Sequence, residues 1–181
     1  ANNSLLLLGS GANGSTSVVD TSPNQKQITV FGNVQISTAQ SKFGGSSLFF
    51  DGSGDYITTP ANVADFDFGS GDFTIECWIY QRTRTAAEYD SLLRLGAEAT
   101  FSKCMAIYIG AAYLGFLVAN TTSSGWAASG TASISALPAL NTWAHLAFVR
   151  SGSTFTLYVG GVSACSATYA GAVKASSTPL E

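Results

Sequence analysis

The chain has 181 residues, of which 46% are hydrophobic and only 10% charged, and its formal net charge at pH 7 is −3. This length suits one domain, so we expect residues 1–181 to fold as a single unit. The acidic balance and the dispersed basic residues exclude nucleic-acid binding through phosphate contacts, and no apolar run reaches the about 18 residues of a membrane span.

Short apolar segments alternate with turns rich in Gly, Ser and Asn along the whole chain. Only residues 61–68 and 83–89 have a pattern compatible with about one turn of helix, so we expect under about a tenth of the chain to be helical. Regular short strands with polar turns are typical of a two-sheet sandwich. The predicted strands are 5–8, 17–19, 28–31, 34–37, 46–51, 55–59, 73–80, 90–96, 105–110, 113–119, 125–128, 132–135, 143–150, 154–160 and 162–169.

The strongest local signal is a predicted hairpin over residues 143–160. Its first strand, 143–150, is apolar on both faces, which predicts a strand in the middle of a covered sheet. Its second strand alternates, so Phe155, Leu157 and Val159 are expected to face inward.

Three blocks of sequence carry a family resemblance. They are KFGGSSLFFDGSGDYI at 42–57, GDFTIECWIY at 71–80, and WAHLAFVR followed by LYVGG at 143–150 and 157–161. Together they resemble the laminin-G-like jelly-roll domains of the concanavalin A-like lectin/glucanase superfamily, including those found in phage tail and fibre proteins. The resemblance implies an all-β, two-sheet antiparallel β-sandwich of jelly-roll type. It implies no single function, because this fold hosts lectins, enzymes and inert scaffolds.

The resemblance also raises a question about the sheet edge near the predicted first strand, 4–8. In the family, a segment like 176–180 leads into two more strands, and the sequence given contains none, so either it is a piece of a longer chain or something else covers that edge. We expect a partner chain or a second copy to cover it, since an open apolar edge favours pairing. The alternative is that 162–169 pairs with the first strand.

Catalysis is not expected. The glucanases that the chain resembles carry Glu-x-Asp-x-Glu or a close variant on one strand, where alternate carboxylates act as nucleophile and general acid/base. That pattern does not occur here, and its nearest approach is Asp65-Phe66-Asp67. His145, the only histidine, lies within a predicted strand and is interpreted as structural. We therefore predict no enzyme activity and no catalytic residues.

Calcium is the one cofactor that the resemblance suggests, because laminin-G-like domains often hold this ion at the sandwich rim. The candidate ligands are Asp51, Asp55, Asp65 and Asp67, whose carboxylates are the hard oxygen donors that calcium prefers. The alternative is that Asp51 and Asp55 brace a tight turn by bonding to the backbone.

Aromatic side chains supply the candidate ligand-binding residues, since sugar sites stack aromatic rings on pyranose faces and add a few polar groups. Trp126, Tyr113, Tyr89 and Tyr80 lie in turns or near strand ends and are predicted to bind ligand, with rim packing as the alternative for Trp126. Two tryptophans within the family blocks, Trp78 and Trp143, are predicted to lie in the core.

Two functions are compatible with these features. The first is a non-catalytic binding or adhesion module that recognises a glycan or a cell-surface protein through loops at one rim. The second is a structural module of a virion tail, a fibre or another polymer, in which the domain packs against copies of itself. Both predict an extracellular or virion location and neighbouring chains as partners, with a homo-oligomer expected.

Overall fold

The computed structural model describes residues 3–61, 64–84, 90–96, 103–120 and 125–181. The chain divides into two compact units, one formed by 1–65 with 178–181 and the other by 66–177. Helix within the described residues is limited to two 3-10 turns, Ala64–Phe66 and Ile134–Ala136, so the prediction of an almost helix-free chain is confirmed. No helix among the described residues is long and apolar enough to cross a membrane.

The first unit contains four short strands, which are β1 (Thr29–Phe31), β2 (Gln35–Ser37), β3 (Ser47–Phe49) and β4 (Tyr56–Thr58). They pair antiparallel as β1 with β4 and as β2 with β3. The predicted strand 17–19 is not a strand, and 5–8 contributes only an isolated bridge from Leu7 to Asp20. These segments are held by side-chain hydrogen bonds more than by a ladder.

A buried carboxylate organises the start of the first unit. Asp20 is only 2% exposed. One of its oxygens accepts from the Leu6 and Ser22 amides at 2.9 and 2.8 Å, and the other accepts from the Ser22 hydroxyl and the Lys26 amide, both at 2.8 Å. Burial raises the pKa of Asp20, but these hydrogen bonds to the ionised form outweigh it and lower the pKa to about 2.

The second unit contains two four-stranded antiparallel sheets. One has the order β12-β11-β10-β5 and the other the order β6-β7-β8-β9. The strands are β5 (Phe73–Tyr80), β6 (Asp90–Gly96), β7 (Lys103–Ile109), β8 (Leu114–Ala119), β9 (Trp126–Ala132), β10 (Trp143–Ser151), β11 (Thr154–Val159) and β12 (Val162–Thr168).

The two sheets of the second unit face each other through aromatic side chains. The Phe116 ring of β8 lies 4.7 Å from that of Phe148 on β10 and 6.5 Å from that of Phe155 on β11, and all three residues are fully buried. Gly130 of β9 permits this approach, because a Cβ there would lie 2.5 Å from the Phe116 ring. The predicted antiparallel, two-sheet β-sandwich is therefore confirmed.

The hairpin predicted over 143–160 is also confirmed. β10 pairs with β11 on one side and with β5 on the other, so it lies inside its sheet as its apolar pattern indicated. Phe155 and Leu157 are fully buried. The outer side of β10 is only partly covered, however, because Trp143 and His145 on that side are half-buried.

Arg150, at the end of β10, connects this hairpin to two distant loops. It is 1% exposed, and its guanidinium donates to the carbonyls of Gly152 at 3.0 Å, Gly69 at 2.9 Å and Gly171 at 2.9 Å. The same group lies 4.9 Å from the Phe155 ring centre, within cation–π range. One side chain therefore ties together three segments that are far apart in sequence.

Further predicted elements also differ in the structure. Residues 132–135 do not form a separate strand, because β9 runs unbroken to Ala132 and a 3-10 turn follows, closed by the Ala136 amide bonding the Ser133 carbonyl at 2.9 Å. The helical turn at 61–68 is reduced to Ala64–Phe66, and 83–84 are not helical, while 85–89 lie outside the described residues. The alternative pairing of 162–169 with 4–8 is not observed in the described residues, since β12 pairs with β11 and Leu7 bridges Asp20.

Candidate functional site

The outer face of the sheet β12-β11-β10-β5 carries a cluster of aromatic and polar side chains. β5 alternates, so Phe73 and Ile75 belong to its inner side, whereas Glu76, Trp78 and Tyr80 occupy the other. We call the outward cluster the aromatic face; its members are Glu76, Trp78, Tyr80, Trp143, His145 and Tyr158.

The strand register places these side chains directly beside one another. Trp143 lies opposite Tyr80, with ring centres 5.5 Å apart, and His145 lies opposite Trp78, with ring centres 5.2 Å apart. Tyr158 of β11 continues the row, since it is opposite the small residue Ala147, which in turn is opposite Glu76. Cross-strand neighbours on one side of an antiparallel pair are within contact distance, so the six side chains form one surface.

The centre of the aromatic face is accessible to solvent. Trp78 is 40% exposed, and every other aromatic residue in the described part of 66–177 is buried or half-buried. The Glu76 side chain is 62% exposed and that of His145 is 27% exposed, while Tyr80, Trp143 and Tyr158 are half-buried. Trp78 adjoins the rings of Tyr80, Trp143 and His145, so it belongs to a contiguous aromatic patch, and contiguous exposed patches mark interaction surfaces more often than isolated exposed residues do.

The prediction that Trp78 and Trp143 lie in the core is therefore wrong. Both lie on the outer side of the sheet, one exposed and one half-buried. For Trp78 the sequence contained a signal, because Glu76 lies on the same side of β5 and a carboxylate is rarely buried without a partner. For Trp143 no such signal exists, because apolar residues occupy both sides of β10.

One polar contact lies at the centre of the aromatic face. The His145 Nε2 atom lies 3.3 Å from a Glu76 carboxylate oxygen. The imidazole thus contacts both the Trp78 ring and the Glu76 carboxylate. The arrangement offers a stacking surface flanked by one strong hydrogen-bond acceptor.

The structure does not bring the four predicted ligand-binding aromatics together. Tyr80 belongs to the aromatic face, but Tyr113 lies in the turn before β8 and packs against Tyr108 at 6.4 Å. Trp126 begins β9 opposite Ala119, at the end of β8 remote from Tyr113. Tyr89 lies outside the described residues.

Two of the predicted calcium ligands, Asp51 and Asp55, stabilise a turn in the first unit. An Asp55 oxygen accepts from the Asn33 amide at 2.7 Å, and its other oxygen accepts from the Asp51 amide at 2.7 Å. The pKa of Asp51 is lowered, first by the Asn33 side-chain amide at 2.8 Å and then by the Ser53 amide at 2.7 Å. Gly32 has a φ of +73°, and a Cβ there would lie 2.2 Å from an Asp55 oxygen.

The other two predicted calcium ligands are Asp65 and Asp67, and both are exposed. The pKa of Asp65 is lowered, chiefly by the Lys26 ammonium 2.6 Å away, with the Asn24 amide also at 2.6 Å. Within the described residues, no group of three or more His, Cys, Asp or Glu side chains is arranged to hold a metal ion. Calcium binding stays a prediction.

A family model for the concanavalin A-like lectin/glucanases superfamily matches residues 51–180. The chain belongs to this superfamily. The match covers the whole of the second unit, including β5 with Trp78 and β10 with Trp143 and His145. No curated protein matches the chain.

Solved structures with a similar fold include three binding domains, one of them in complex with a sugar. The binding domain of Paraclostridial Mosquitocidal Protein 1 has a TM-score of 0.70 at 16% identity, over 97% of this superfamily member and 43% of that chain. The receptor binding domain of botulinum neurotoxin D has a TM-score of 0.70 at 16% identity, over 99% of this chain and 44% of that chain. The botulinum neurotoxin serotype D ligand binding domain in complex with N-acetylneuraminic acid has a TM-score of 0.70 at 16% identity, over 99% of this chain and 42% of that chain. The chain thus spans less than half of the length of these structures, and identities this low establish the fold alone.

Proposed function

We propose that the chain is a non-catalytic glycan-binding module and that the aromatic face is its binding surface. The observation that carries this proposal is the exposed Trp78 ring held beside the His145–Glu76 pair. The proposal moves the site from the rim loops expected from sequence to the open side of a sheet. Rigid strands position a binding surface more precisely than loops do.

Sugar chemistry matches this surface. The apolar face of a pyranose ring stacks on an aromatic ring, and its hydroxyl groups need nearby acceptors and donors. Trp78 supplies the ring, Glu76 supplies two carboxylate oxygens that accept from hydroxyls, and Tyr80 and Tyr158 supply phenolic groups at the margins. Similar structures support the ligand class, a glycan, but not a particular sugar: one was solved with N-acetylneuraminic acid, and another is described by its interaction with two ganglioside molecules.

Binding is favoured over hydrolysis by the spacing of carboxylates. Glycoside hydrolysis uses two carboxyl groups about 5–9.5 Å apart. On the outer side of β5 and its continuation, the acidic residue next to Glu76 is Asp72, which four residues of extended chain place roughly 13 Å away. Asp72 is also bonded to the Gly152 amide at 2.7 Å. Glu76 therefore has no second carboxylate at catalytic distance among the described residues of this sheet.

Replacing Trp78 by alanine is expected to weaken glycan binding about tenfold or more, because a stacked aromatic ring contributes roughly 1.5–3 kcal/mol. The measurement is an immobilised glycan array followed by titration calorimetry with the strongest binder. Trp126→Ala is the matched control, since it removes a half-buried tryptophan from the other sheet. Loss of binding in the Trp126 variant, with full binding in the Trp78 variant, would place the site elsewhere.

Self-association is a second candidate, favoured by exposed apolar side chains in the first unit. Leu8 is 56% exposed and Val19 is 61% exposed, and both line one small cavity with Ile36. Burial of such groups against another copy is favourable by about 25 cal/mol per Å² of apolar area. This interface suits the neighbouring chains of an extracellular or virion assembly.

We expect the purified chain to be a dimer or larger at micromolar concentration by light scattering, and the double variant Leu8→Ser/Val19→Ser to be monomeric. Val162→Ser is the control, because Val162 is 71% exposed but belongs to the second unit. A monomeric parent chain would exclude self-association, whereas an unchanged oligomer in the double variant would assign it to another surface.

A further inference from the structure

The aromatic face carries one carboxylate and no lysine or arginine. Its one carboxylate belongs to Glu76, and its one basic group, the His145 imidazole, is already turned toward that carboxylate at 3.3 Å. Among the described residues of the four strands, the other charged groups are at or beyond the ends. Arg150 is buried on the inner side against three carbonyls, and Arg82 lies two residues past the end of β5.

A carboxylate in this place discriminates between sugars by charge. It accepts hydrogen bonds from hydroxyl groups, and charge-assisted bonds of this kind are about twice as strong as neutral ones. An acidic sugar stacked on Trp78 would bring a second carboxylate within several ångströms of Glu76. Two like charges at about 6 Å repel enough to weaken binding several-fold to a hundredfold, depending on the local dielectric.

We propose that the aromatic face selects uncharged glycans and rejects those whose terminal sugar is acidic. This inference rests on the proposed function, and it separates the chain from the similar structure solved with N-acetylneuraminic acid. Selectivity resides in Glu76, whereas stacking affinity resides in Trp78. The two properties are therefore separable by mutation.

The test uses matched triplets of oligosaccharides. Each triplet contains an uncharged oligosaccharide, the same molecule capped with N-acetylneuraminic acid, and the capped molecule with its carboxylate converted to the methyl ester. The parent chain is expected to bind the uncharged member about tenfold more tightly than the acidic one at low salt. The methyl ester, which has nearly the same shape as the acidic cap, is expected to recover most of that loss.

Glu76→Gln is the decisive variant, because it keeps the size of an exposed side chain and removes its charge. It is expected to reduce the preference for the uncharged member to under about threefold, with weaker binding of that member. Arg82→Gln is the matched control and is expected to leave the preference unchanged. A preference for the acidic member, an unchanged preference in the Glu76 variant, or an ester that binds as weakly as the acid would overturn the inference.

The outcomes also separate this inference from the proposed function. If the acidic member binds best and Trp78→Ala abolishes its binding, the glycan-binding face stands and the charge selection fails. If the acidic member binds best and Arg82→Gln weakens its binding, charge selection is made by Arg82 beyond the end of β5, and the inference about Glu76 is overturned. A chain that binds no member of any triplet overturns the proposed function and this inference together.

Discussion

Replacement of Arg150 by methionine is expected to lower the free energy of unfolding of the second unit by about 3–5 kcal/mol. The methionine preserves much of the apolar stem but leaves the Gly152 and Gly171 carbonyls without the donors that Arg150 supplies. The Gly69 carbonyl keeps one partner, since it also accepts from the Val173 amide at 2.8 Å. Hydrogen bonds to a charged donor contribute about 1.5–3 kcal/mol each, although the exposed Gly152 carbonyl can bond to water instead, and the contact with the Phe155 ring is lost as well.

Urea unfolding followed by tryptophan fluorescence measures this effect in the right place. All three tryptophans lie within 66–177, so their emission reports on the second unit. Arg150→Lys is expected to fall between the parent and the methionine variant, because an ammonium cannot reproduce the three-way fork of a guanidinium. Exposed Arg82→Gln is the control and is expected to change stability by less than about 0.5 kcal/mol. A loss below about 1 kcal/mol in Arg150→Met would contradict the structural role given to this side chain.

Replacement of Asp20 by asparagine is expected to destabilise the first unit by about 2–4 kcal/mol. Asparagine has one acceptor oxygen, so its amide group would face two of the four donors that now converge on the carboxylate. The first unit contains no tryptophan, and amide hydrogen exchange is the suitable measurement. Faster exchange is expected at Leu6, Ser22 and Lys26, whose amides bond to Asp20. Unchanged exchange at these amides would refute the prediction.

The same carboxylate gives the first unit a defined acid sensitivity. The folded pKa of Asp20 is about 2, below its ordinary value of 3.8. Its contribution is therefore fully present above about pH 4 and is lost as the pH falls through about 2. The difference in exchange rates between the parent and Asp20→Asn should shrink over that interval. Exposed Asp67→Asn is the control, and a difference that persists at pH 2 would contradict the assignment.

Local patterns predicted the second unit well. The strand pattern over 73–80 and 143–160 gave β5, β10 and β11 close to their observed bounds, because side-chain alternation and mid-sheet apolar runs are properties of one strand. Prediction was poorer in the first unit, where 5–8 and 17–19 form no strands. Segment 5–8 instead bonds to the Asp20 carboxylate through the Leu6 amide, a contact across 14 positions that carries no local pattern.

The candidate site shows the same division. The sequence predicted Tyr80 as a ligand-binding residue but grouped it with Trp126 of β9 and with Tyr113, which lies in the turn before β8. It treated Trp78 and Trp143 as core, because tryptophan in a buried-looking strand is usually packed. Only the register of β5 against β10 reveals that Glu76, Trp78 and His145 share one surface.

The amino-acid sequence by itself determined the fold class, the family and the central position of β10. The central position of β10 follows from short-range periodicity, and the family follows from three blocks of residues that can be recognised without knowledge of the tertiary structure. The tertiary structure alone decided which side of the sheet remains open, which aromatics meet on it, and that a buried arginine and a buried aspartate hold distant loops. The physical reason is that these features depend on pairing and burial between residues up to 81 positions apart, and a linear pattern does not encode such distances.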